Sequence, residues 1–320
     1  MLPVLAVAAG LTSFALAPGA DTTLAVPQGM DLNVANYAGE VFIEGWDRNA
    51  LRIRTDHSDE DKVVVFPGHG AVVVKAYSKK EDDQSADLRL IVPLWMNVSI
   101  SGIHTDVIVT GTQGQVKVDT VHGDVIVRGG RRLIDLSTVN DDICVSDASG
   151  TVRAETVNGD AYVWRTDSDS VDVSTVNGDV VYEGSMDDRG VYRFASHNGD
   201  IDVAMPRAVS AAVLVSTFSG DFQSNFPVTL TGTNDPKRFQ FCVGSCSARV
   251  ELSSFQGTIQ IYRAADMPSL RVQRMDGIVD RIIEKRLDRK IDRATRIVNK
   301  MKERFQKRHD GSDGSDGDGE

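Results

Sequence analysis

The sequence predicts an all-β protein in which a tandem strand repeat of 18 to 21 residues stacks into one elongated β-solenoid. Three observations support this prediction. A sequence unit recurs at near-constant spacing, apolar residues alternate with polar ones inside each unit, and an Asn-Gly-Asp turn lies at the centre of the clearest units. A separate amphipathic α-helix is predicted near the C-terminus.

Internal repetition is the strongest of these signals. The stretch from Val152 to Val163 returns from Val171 to Tyr182, with Thr-Val-Asn-Gly-Asp in both copies. The first four centres are 18 residues apart, and the later steps are 19, 21, 21 and 37, the last of which contains an insertion at residues 226–249. A further row centred on Gly39 precedes a less regular region, and the eight later rows are centred on Thr105, Gly123, Asp141, Gly159, Gly178, Gly199, Gly220 and Gly257.

Each row has a fixed chemical pattern. Apolar residues stand seven and five positions before the centre and two after it, with mostly polar residues between them. This period-two alternation on both sides of the centre is typical of half-buried strands. A hydroxyl group three positions before the centre is expected to turn inward and satisfy backbone groups at the turn. The hydroxyl positions are Thr120, Thr138, Thr156, Thr175, Ser196, Thr217 and Ser254.

The centre of the row is a turn, because Asn-Gly suits backbone with positive φ. A two-residue hairpin would pair strands within a row and produce a meander. A corner would instead pair each strand with its equivalent in the next row, and the recurrence of like residues favours this solenoid. The hexapeptide left-handed helix is disfavoured, since no six-residue apolar period is present. The structural turn residues are Asn158, Gly159, Asp160, Asn177, Gly178, Asp179, Asn198, Gly199 and Asp200.

Charge is distributed unevenly along this chain of net charge −11. Residues 271–308 carry 14 basic and 6 acidic residues, whereas residues 310–320 carry five acidic residues and no basic one. These segments contribute +8 and −5, which leaves −14 for residues 1–270. An acidic body argues against general nucleic-acid binding, which needs a basic surface to displace counterions.

Residues 1–20 form an apolar run that ends in small residues and resembles the hydrophobic region of a secretory signal peptide. The run is short for a membrane-spanning helix, which needs roughly 20 residues. No Lys or Arg precedes it, and Pro18 follows the most favourable cleavage site, so cleavage after Ala20 is the alternative. We therefore expect an extracytoplasmic protein, either periplasmic, cell-surface or secreted. A buried first strand or an uncleaved anchor is the competing interpretation.

Short motifs accompany the Thr-Val-Asn-Gly-Asp-Val units: Gly45-Trp46-Asp47 and Ile91-Val92-Pro93 before the array, and Ser253-Ser254-Phe255-Gln256-Gly257 at its end. In order and spacing, residues 22–263 resemble the bacterial adhesin-like β-strand-repeat family, a group of largely uncharacterised function. The resemblance implies a right-handed, β-helix-like extracytoplasmic domain with a role in surface adhesion or in the envelope. The family supplies no catalytic residues. The chain departs from the family pattern at Asp141, where a turn glycine is expected, and in the basic C-terminal segment.

An aspartate column follows the centres. Stacked rows place such carboxylates roughly 5 Å apart, where they repel by roughly 1 kcal/mol in water. Hydrogen bonds from turn N–H groups would offset this repulsion. Calcium bridging is the alternative, because carboxylates are preferred calcium ligands, although the glycine-rich nonapeptide of calcium β-rolls is absent. The candidate calcium ligands are Asp124, Asp142, Asp160 and Asp179.

Histidine and cysteine residues add two further hypotheses. His104 and His122 share one column beside the aspartates, so zinc is an alternative, but asparagines in the same column favour an ordinary turn role. Cys242 and Cys246 bracket a predicted turn and could form a disulfide in an oxidising compartment. Cys144 occupies a predicted outward position, where it would be a free thiol or partly covered.

The segment from Asp276 to Phe305 repeats apolar residues every three or four positions and contains no proline. This pattern predicts one amphipathic helix within the basic segment 271–308. The helix could cap the open end of the solenoid, form a coiled coil with another subunit, or lie on an anionic membrane or surface polymer. The tail at residues 309–320 is predicted to be acidic, solvated and disordered.

Together these features predict a non-enzymatic, exported adhesin or structural envelope protein with no cofactor, apart from the calcium alternative. The partner classes left open are a cell-surface polymer, a membrane surface, a protein bound through residues 276–305, and a second copy of the chain. One alternative is an envelope-stress or signalling accessory that recruits a partner through its C-terminal helix. Another is an enzyme acting on polysaccharide, which would need a cleft of clustered carboxylates and bases instead of uniform columns.

Overall fold

The computed structural model describes residues 4–6, 13–58, 61–78, 85–231 and 235–264. Within these ranges the chain is all-β, as the sequence predicts, with strands joined by turns and no α-helix. None of these residues forms a helix that could span a membrane.

The chain divides into two units, residues 1–267 and 268–320, and the described residues all belong to the first. The predicted amphipathic helix at 276–305 and the acidic tail at 309–320 lie outside the described residues. They remain predictions.

The first unit contains 24 described strands. Two of them, β4 and β9, span both halves of a row, and β15 joins the second half of the Gly159 row to the first half of the Gly178 row. The strands are β1 (Val4–Ala6), β2 (Phe14–Leu16), β3 (Asp21–Ala25), β4 (Asp31–Trp46), β5 (Ala50–His57), β6 (Asp61–Pro67), β7 (Ala71–Ser78), β8 (Ala86–Pro93), β9 (Val98–Thr110), β10 (Val116–Asp119), β11 (Val125–Arg128), β12 (Leu133–Ser137), β13 (Ile143–Ser146), β14 (Ser149–Glu155), β15 (Ala161–Asn177), β16 (Val180–Gly184), β17 (Val191–Asn198), β18 (Ile201–Met205), β19 (Ala211–Thr217), β20 (Phe222–Ser224), β21 (Leu230–Thr231), β22 (Arg238–Val243), β23 (Ala248–Gln256) and β24 (Ile259–Arg263).

Strands pair between rows, parallel and in register. The half-rows before the centres form one series of paired strands, which we call the first ladder; in it, for example, Val116 pairs with Ile134. The first ladder runs through β4, β9, β10, β12, β14, β15 and β17. In the half-row after the centre, Val125 pairs with Ile143, and the second ladder runs through β4, β9, β11, β13, β15, β16 and β18. Each residue therefore stacks on its equivalent, as the solenoid predicts, and the hairpin alternative is wrong for these rows.

The last two rows exchange places. Strand β23, from the Gly257 row, pairs with β17 on one side and with β19 on the other, and β24 lies likewise between β18 and β20. The row order is therefore Gly199, Gly257, Gly220, which the sequence order does not reveal. Strand β22 of the insertion covers the outer edge of β19 in antiparallel pairing, and β21 adds to β22. Covering that edge protects it from pairing with another chain.

At the other end of the array, β7 and β8 continue the two ladders in parallel beside β4. Antiparallel strands follow them, with β6 and β2 in the first ladder and β5 and β3 in the second. The predicted signal segment contributes β2, since Phe14–Leu16 pairs with Val63–Val65, and also β1, since Val4–Ala6 pairs in parallel with Thr23–Ala25. Cleavage of residues 1–20 remains a prediction.

The core lies where the inward columns of the two ladders meet. The inward residues seven positions before the centres are at most 2% exposed, for example Val98, Val116, Ile134, Val152 and Val171. Burial of such side chains removes apolar surface from water at roughly 25 cal/mol per Å². The predicted alternation is therefore confirmed for the first ladder.

The hydroxyl column also faces inward, as predicted. Thr175 donates its hydroxyl hydrogen to the Gly159 carbonyl at 2.9 Å, and Ser196 donates to the Gly178 carbonyl at 2.9 Å. Each bond joins one row to the centre of the row before it. These two hydroxyls thus satisfy carbonyl groups at the turns of the preceding rows.

The second ladder differs from the prediction, because its side chains are buried on both sides. Residues that alternate with the inward column are at most 4% exposed: Ile126, Cys144, Tyr162 and Val181. Cys144 is therefore a buried free thiol and not an outward one, and burial raises the pKa of its thiol. Continuous apolar runs are the sequence signal of strands buried on both faces. Val125-Ile126-Val127 is one such run, which the alternation model overlooked.

Gly178→Ala tests how closely the centres stack. A Cβ at Gly178 would lie 2.0 Å from the Gly159 carbonyl oxygen, whereas a Cβ at Gly70 would meet nothing within 4 Å. Since backbone cannot move aside as a side chain can, we expect Gly178→Ala to lower the free energy of unfolding by about 1–3 kcal/mol. Gly70→Ala is the control and should be near neutral. Equal urea midpoints for the two variants would contradict this stacking.

A second prediction concerns Asp21, whose carboxylate accepts hydrogen bonds from Arg52 (2.6 and 2.7 Å) and Arg54 (2.8 Å). The Arg52 hydrogen bonds, assisted by Arg54, lower the pKa of Asp21 from 3.8 to about 2. The ion pair therefore stabilises the fold fully above pH 3.8, and this contribution declines as the pH falls towards 2.

We expect Asp21→Asn to lower the free energy of unfolding by about 1 kcal/mol at pH 7, since the carboxylate is partly exposed and screened. Chemical denaturation at several pH values should show the difference from wild type shrinking below pH 4. A difference independent of pH would contradict an ionic origin.

Candidate functional site

The Asn-Gly-Asp corners of successive rows bring three columns of side chains together. One position before the centre, the asparagines form an amide ladder of Asn140, Asn158, Asn177 and Asn198. From Asn158 onwards, each Nδ2 group donates to the asparagine Oδ1 atom of the preceding row at 2.8 Å. The chain of bonds repeats because parallel pairing places like beside like at roughly 4.8 Å.

Histidines extend the amide ladder towards the first rows. The rings of His104 and His122 are stacked, with centroids 4.7 Å apart and planes 10° apart, and Tyr37 meets His104 edge-on at 6.1 Å. His122 also forms bridges to His104 and Asn140 through the backbone. The imidazoles thus take the same place as the asparagine amides, which agrees with the turn role and gives no geometry for a shared zinc ion.

One position after the centre, the aspartates form a carboxylate ladder, and an Oδ1 atom of each accepts a hydrogen bond from a backbone N–H group of the next row. Asp160 Oδ1, for example, accepts from the Asp179 N–H at 2.8 Å. The last acceptor, Asp200, bonds to the Thr258 N–H at 2.7 Å, because the Gly257 row follows in space. The ladder consists of Asp106, Asp124, Asp142, Asp160, Asp179 and Asp200.

These hydrogen bonds account for the aspartate column without a metal ion. Hydrogen bonds from N–H groups to carboxylate oxygens offset the repulsion along the column. Tyr162 adds to this by donating its hydroxyl hydrogen to Asp160 Oδ2 at 2.7 Å. Burial, with the nearby carboxylates, raises the pKa of the Tyr162 phenol. Within the described part of the chain, no three His, Cys, Asp or Glu side chains gather closely enough to hold a metal ion.

Two positions before the centre, an exposed apolar column runs along the corner. We call it the apolar stripe, and its members are between 37% and 59% exposed: Tyr37, Ile103, Val121, Val139, Val176, Phe218 and Phe255. At one end His197, Phe255 and Phe218 form a stack of nearly parallel rings, with centroids 4.5 and 4.6 Å apart. Sequence reasoning missed this stripe, although the column of apolar residues beside the asparagines was visible.

The opposite corner of four rows adopts positive φ at equivalent positions, 18 residues apart. These are Gly111 (69°), Gly129 (97°), Asp147 (55°) and Arg165 (50°). For the two residues that are not glycine, this conformation costs on the order of 1–2 kcal/mol each. Part of that cost is offset because Arg165 donates two hydrogen bonds to Asp147, at 2.8 and 2.9 Å.

A groove of about 530 Å³ opens beside this corner and is lined by Gly111, Gly129, Asp147, Arg165 and Asp167, among others. The hydrogen bonds from Arg165 lower the pKa of Asp147, and Asp167 accepts a hydrogen bond from the Ser185 hydroxyl at 2.6 Å. The groove therefore brings together an ion pair, Asp147 with Arg165, and a hydrogen-bonded carboxylate, Asp167.

Residues 20–262 match the model of a family described as Toastrack DUF4097. The chain belongs to the Toastrack DUF4097 family. No curated protein matches it.

Solved structures similar to this Toastrack chain are remote. They include a cell-adhesion candidate from Clostridium sporogenes (11% identity, TM-score 0.25, 76% of this chain and 99% of that one). A second is an adhesin candidate from Bacteroides fragilis (12% identity, TM-score 0.41, 78% and 97%). A third is a lipid-binding candidate from Parabacteroides distasonis (11% identity, TM-score 0.32, 81% and 99%).

The insertion of this Toastrack chain contains a disulfide between Cys242 and Cys246. It closes the turn that leads from β22 to β23, across the start of β19. Ser210, just before β19, holds the same turn, because its Oγ atom accepts from the Ser245 N–H at 2.8 Å. The structure thus places the predicted cysteine pair away from the corner columns, where it supports the exchanged row.

Substitution of Asp160 tests the origin of the carboxylate ladder. Asp160→Ala removes the acceptor of the Asp179 N–H, and we expect a loss of about 1–3 kcal/mol in the free energy of unfolding. Asp160→Asn keeps an acceptor oxygen and should lose less. Calcium should leave the melting temperature of the wild type unchanged. A calcium-dependent rise that Asp160→Asn abolishes would instead support calcium bridging through Asp160 and its neighbours Asp142 and Asp179.

Proposed function

We propose that this Toastrack chain is an exported, non-enzymatic adhesin or envelope protein, built as a right-handed, elongated solenoid that presents a repeated binding surface. The observation that supports this proposal best is the uniformity of the corner columns. Amide, carboxylate and apolar groups recur row after row, so the surface offers many equivalent contacts. Such an arrangement suits recognition of an extended partner better than a reaction at one point.

The polar groups of the corner already form hydrogen bonds within the protein, which also favours binding over catalysis. Carboxylates of the corner accept backbone hydrogen bonds, and asparagine amides bond to one another. Groups held in this way are rigid and pre-organised, which lowers the entropy cost of binding. The same hydrogen bonds occupy one oxygen of each ladder carboxylate, which a reacting group would otherwise contact.

Export is supported by the cysteine arrangement, which suits an oxidising compartment. Disulfides persist outside the cytoplasm and are rare inside it. The turn cysteines lie in disulfide geometry, while Cys144 is buried in the second ladder. The apolar segment at residues 1–20 is consistent with an export signal.

A thiol count tests the proposal. We expect protein taken directly from its native cells, unfolded without reductant in the presence of an alkylating reagent, to label only Cys144. Without unfolding, even Cys144 should label slowly because it is buried. Cys144→Ser is the control and should show no label. Three labelled cysteines in the wild-type protein, measured by intact mass, would contradict export to an oxidising compartment.

A further inference from the structure

The apolar stripe holds most of the exposed large hydrophobic side chains in the described part of the chain. Among the described residues, nine large hydrophobic side chains are exposed, and the seven members of the stripe all occupy one column. The other two are Tyr77 and Leu230. Since single exposed hydrophobics are ordinary but contiguous ones mark interaction sites, this alignment requires an explanation beyond chance exposure.

The stripe is long and narrow. Nine stacked rows at roughly 4.8 Å give a length of about 40 Å, while its width is one side chain. A stable protein–protein interface needs roughly 800 Å² on each partner, and a strip this narrow gives only about half of that. Its shape therefore fits a single extended chain better than a second copy of the protein.

The columns beside the apolar stripe, the amide ladder and the carboxylate ladder, determine which chemical class of extended chain could bind there. On one side lies the amide ladder, in which Asn158 and Asn177 each use one N–H and one oxygen within the ladder. An asparagine amide has a second N–H, so each exposed amide retains a donor for a ligand. Beyond it lies the carboxylate ladder, whose negative charge disfavours nucleic acid, phosphate polymers and anionic lipid.

An extended peptide is also disfavoured. Peptides that add a strand need an open row of backbone groups, but the backbone along the stripe already pairs between rows. For example, the His122 N–H donates to the Ile103 carbonyl at 2.6 Å, and the Asn140 N–H donates to the Val121 carbonyl at 2.9 Å. A partner must therefore bind through side chains alone.

We propose that the apolar stripe binds a single strand of an uncharged polysaccharide. This proposal rests on the function proposed above and names the partner of that binding surface. Sugar rings have an apolar C–H face that packs on aromatic and aliphatic side chains, and hydroxyl groups at their edges that accept hydrogen bonds from amides. The stacked rings of His197, Phe255 and Phe218 form a platform at one end. Lys237 Nζ lies 5.2 Å from the Phe218 ring centroid at that end.

The test uses the full-length chain and two neutral probes, cellohexaose and hexa-N-acetylchitohexaose, with polygalacturonate as the charged comparison. Isothermal titration should detect binding of at least one neutral hexamer and none of the charged polymer. The double variant Val176→Ser with Phe218→Ser should weaken that binding at least tenfold. Tyr77→Ser with Leu230→Ser, which changes exposed hydrophobics outside the stripe, is the matched control and should bind like the wild type.

The proposal is overturned if neither hexamer binds the wild type, or if both double variants bind equally well. It is also overturned if the stripe variant alone abolishes self-association in sedimentation experiments while glycan binding is absent, because the occupant would then be a second copy. If any of these results is obtained with a protein in which only Cys144 is labelled, the proposal of export stands and only the proposal of polysaccharide binding is rejected. Three labelled cysteines would instead reject export, whatever the titrations show.

Discussion

The close approach of one row centre to the next is the constraint on which the rest of the structure depends. The carbonyl oxygen of one centre lies where a side chain of the next would begin, as Gly159 and Gly178 show. This contact sets the corner spacing and brings the hydroxyl of Thr175 to the Gly159 carbonyl. It also places each aspartate below the N–H group of the following row. Ladder pairing, core columns and corner hydrogen bonds therefore form one repeated unit.

This constraint also shapes the surface. Once equivalent residues must stack, any residue type chosen at a corner position becomes a line of that type along the array. Asparagines then bond to one another, aromatic rings stack, and carboxylates become tied to backbone. The groove at the opposite corner follows the same rule, since Gly111, Gly129, Asp147 and Arg165 share one backbone conformation. Binding surfaces in such a fold are linear for the same reason that its core is regular.

The repeat in the sequence predicted the features that depend on periodicity. It did not predict which rows are neighbours in space, because the periodicity does not determine the order of the rows. The columns predicted the parallel register, the buried Val116 and the inward Thr175, because like residues stack whichever rows are adjacent. For that same reason, the pattern could not reveal that the Gly257 row lies between those of Gly199 and Gly220. Continuous apolar runs such as Val125-Ile126-Val127 did indicate that the second ladder is buried on its outer side as well. The apolar column of the stripe was also present in the sequence, but whether a valine is exposed becomes clear only when the fold shows which way its side chain points.

The exchanged row explains why the insertion and its disulfide lie where they do. Strands β22 and β23 flank β19 on its two sides, so the turn between them must cross two strand spacings, roughly 10 Å. Only residues 244–247 are available for this crossing. A disulfide across such a short turn limits the conformations open to the unfolded chain, and Ser210 fixes the turn over the start of β19. The cysteines thus stabilise the place where the Gly257 row enters between two rows that precede it in the sequence.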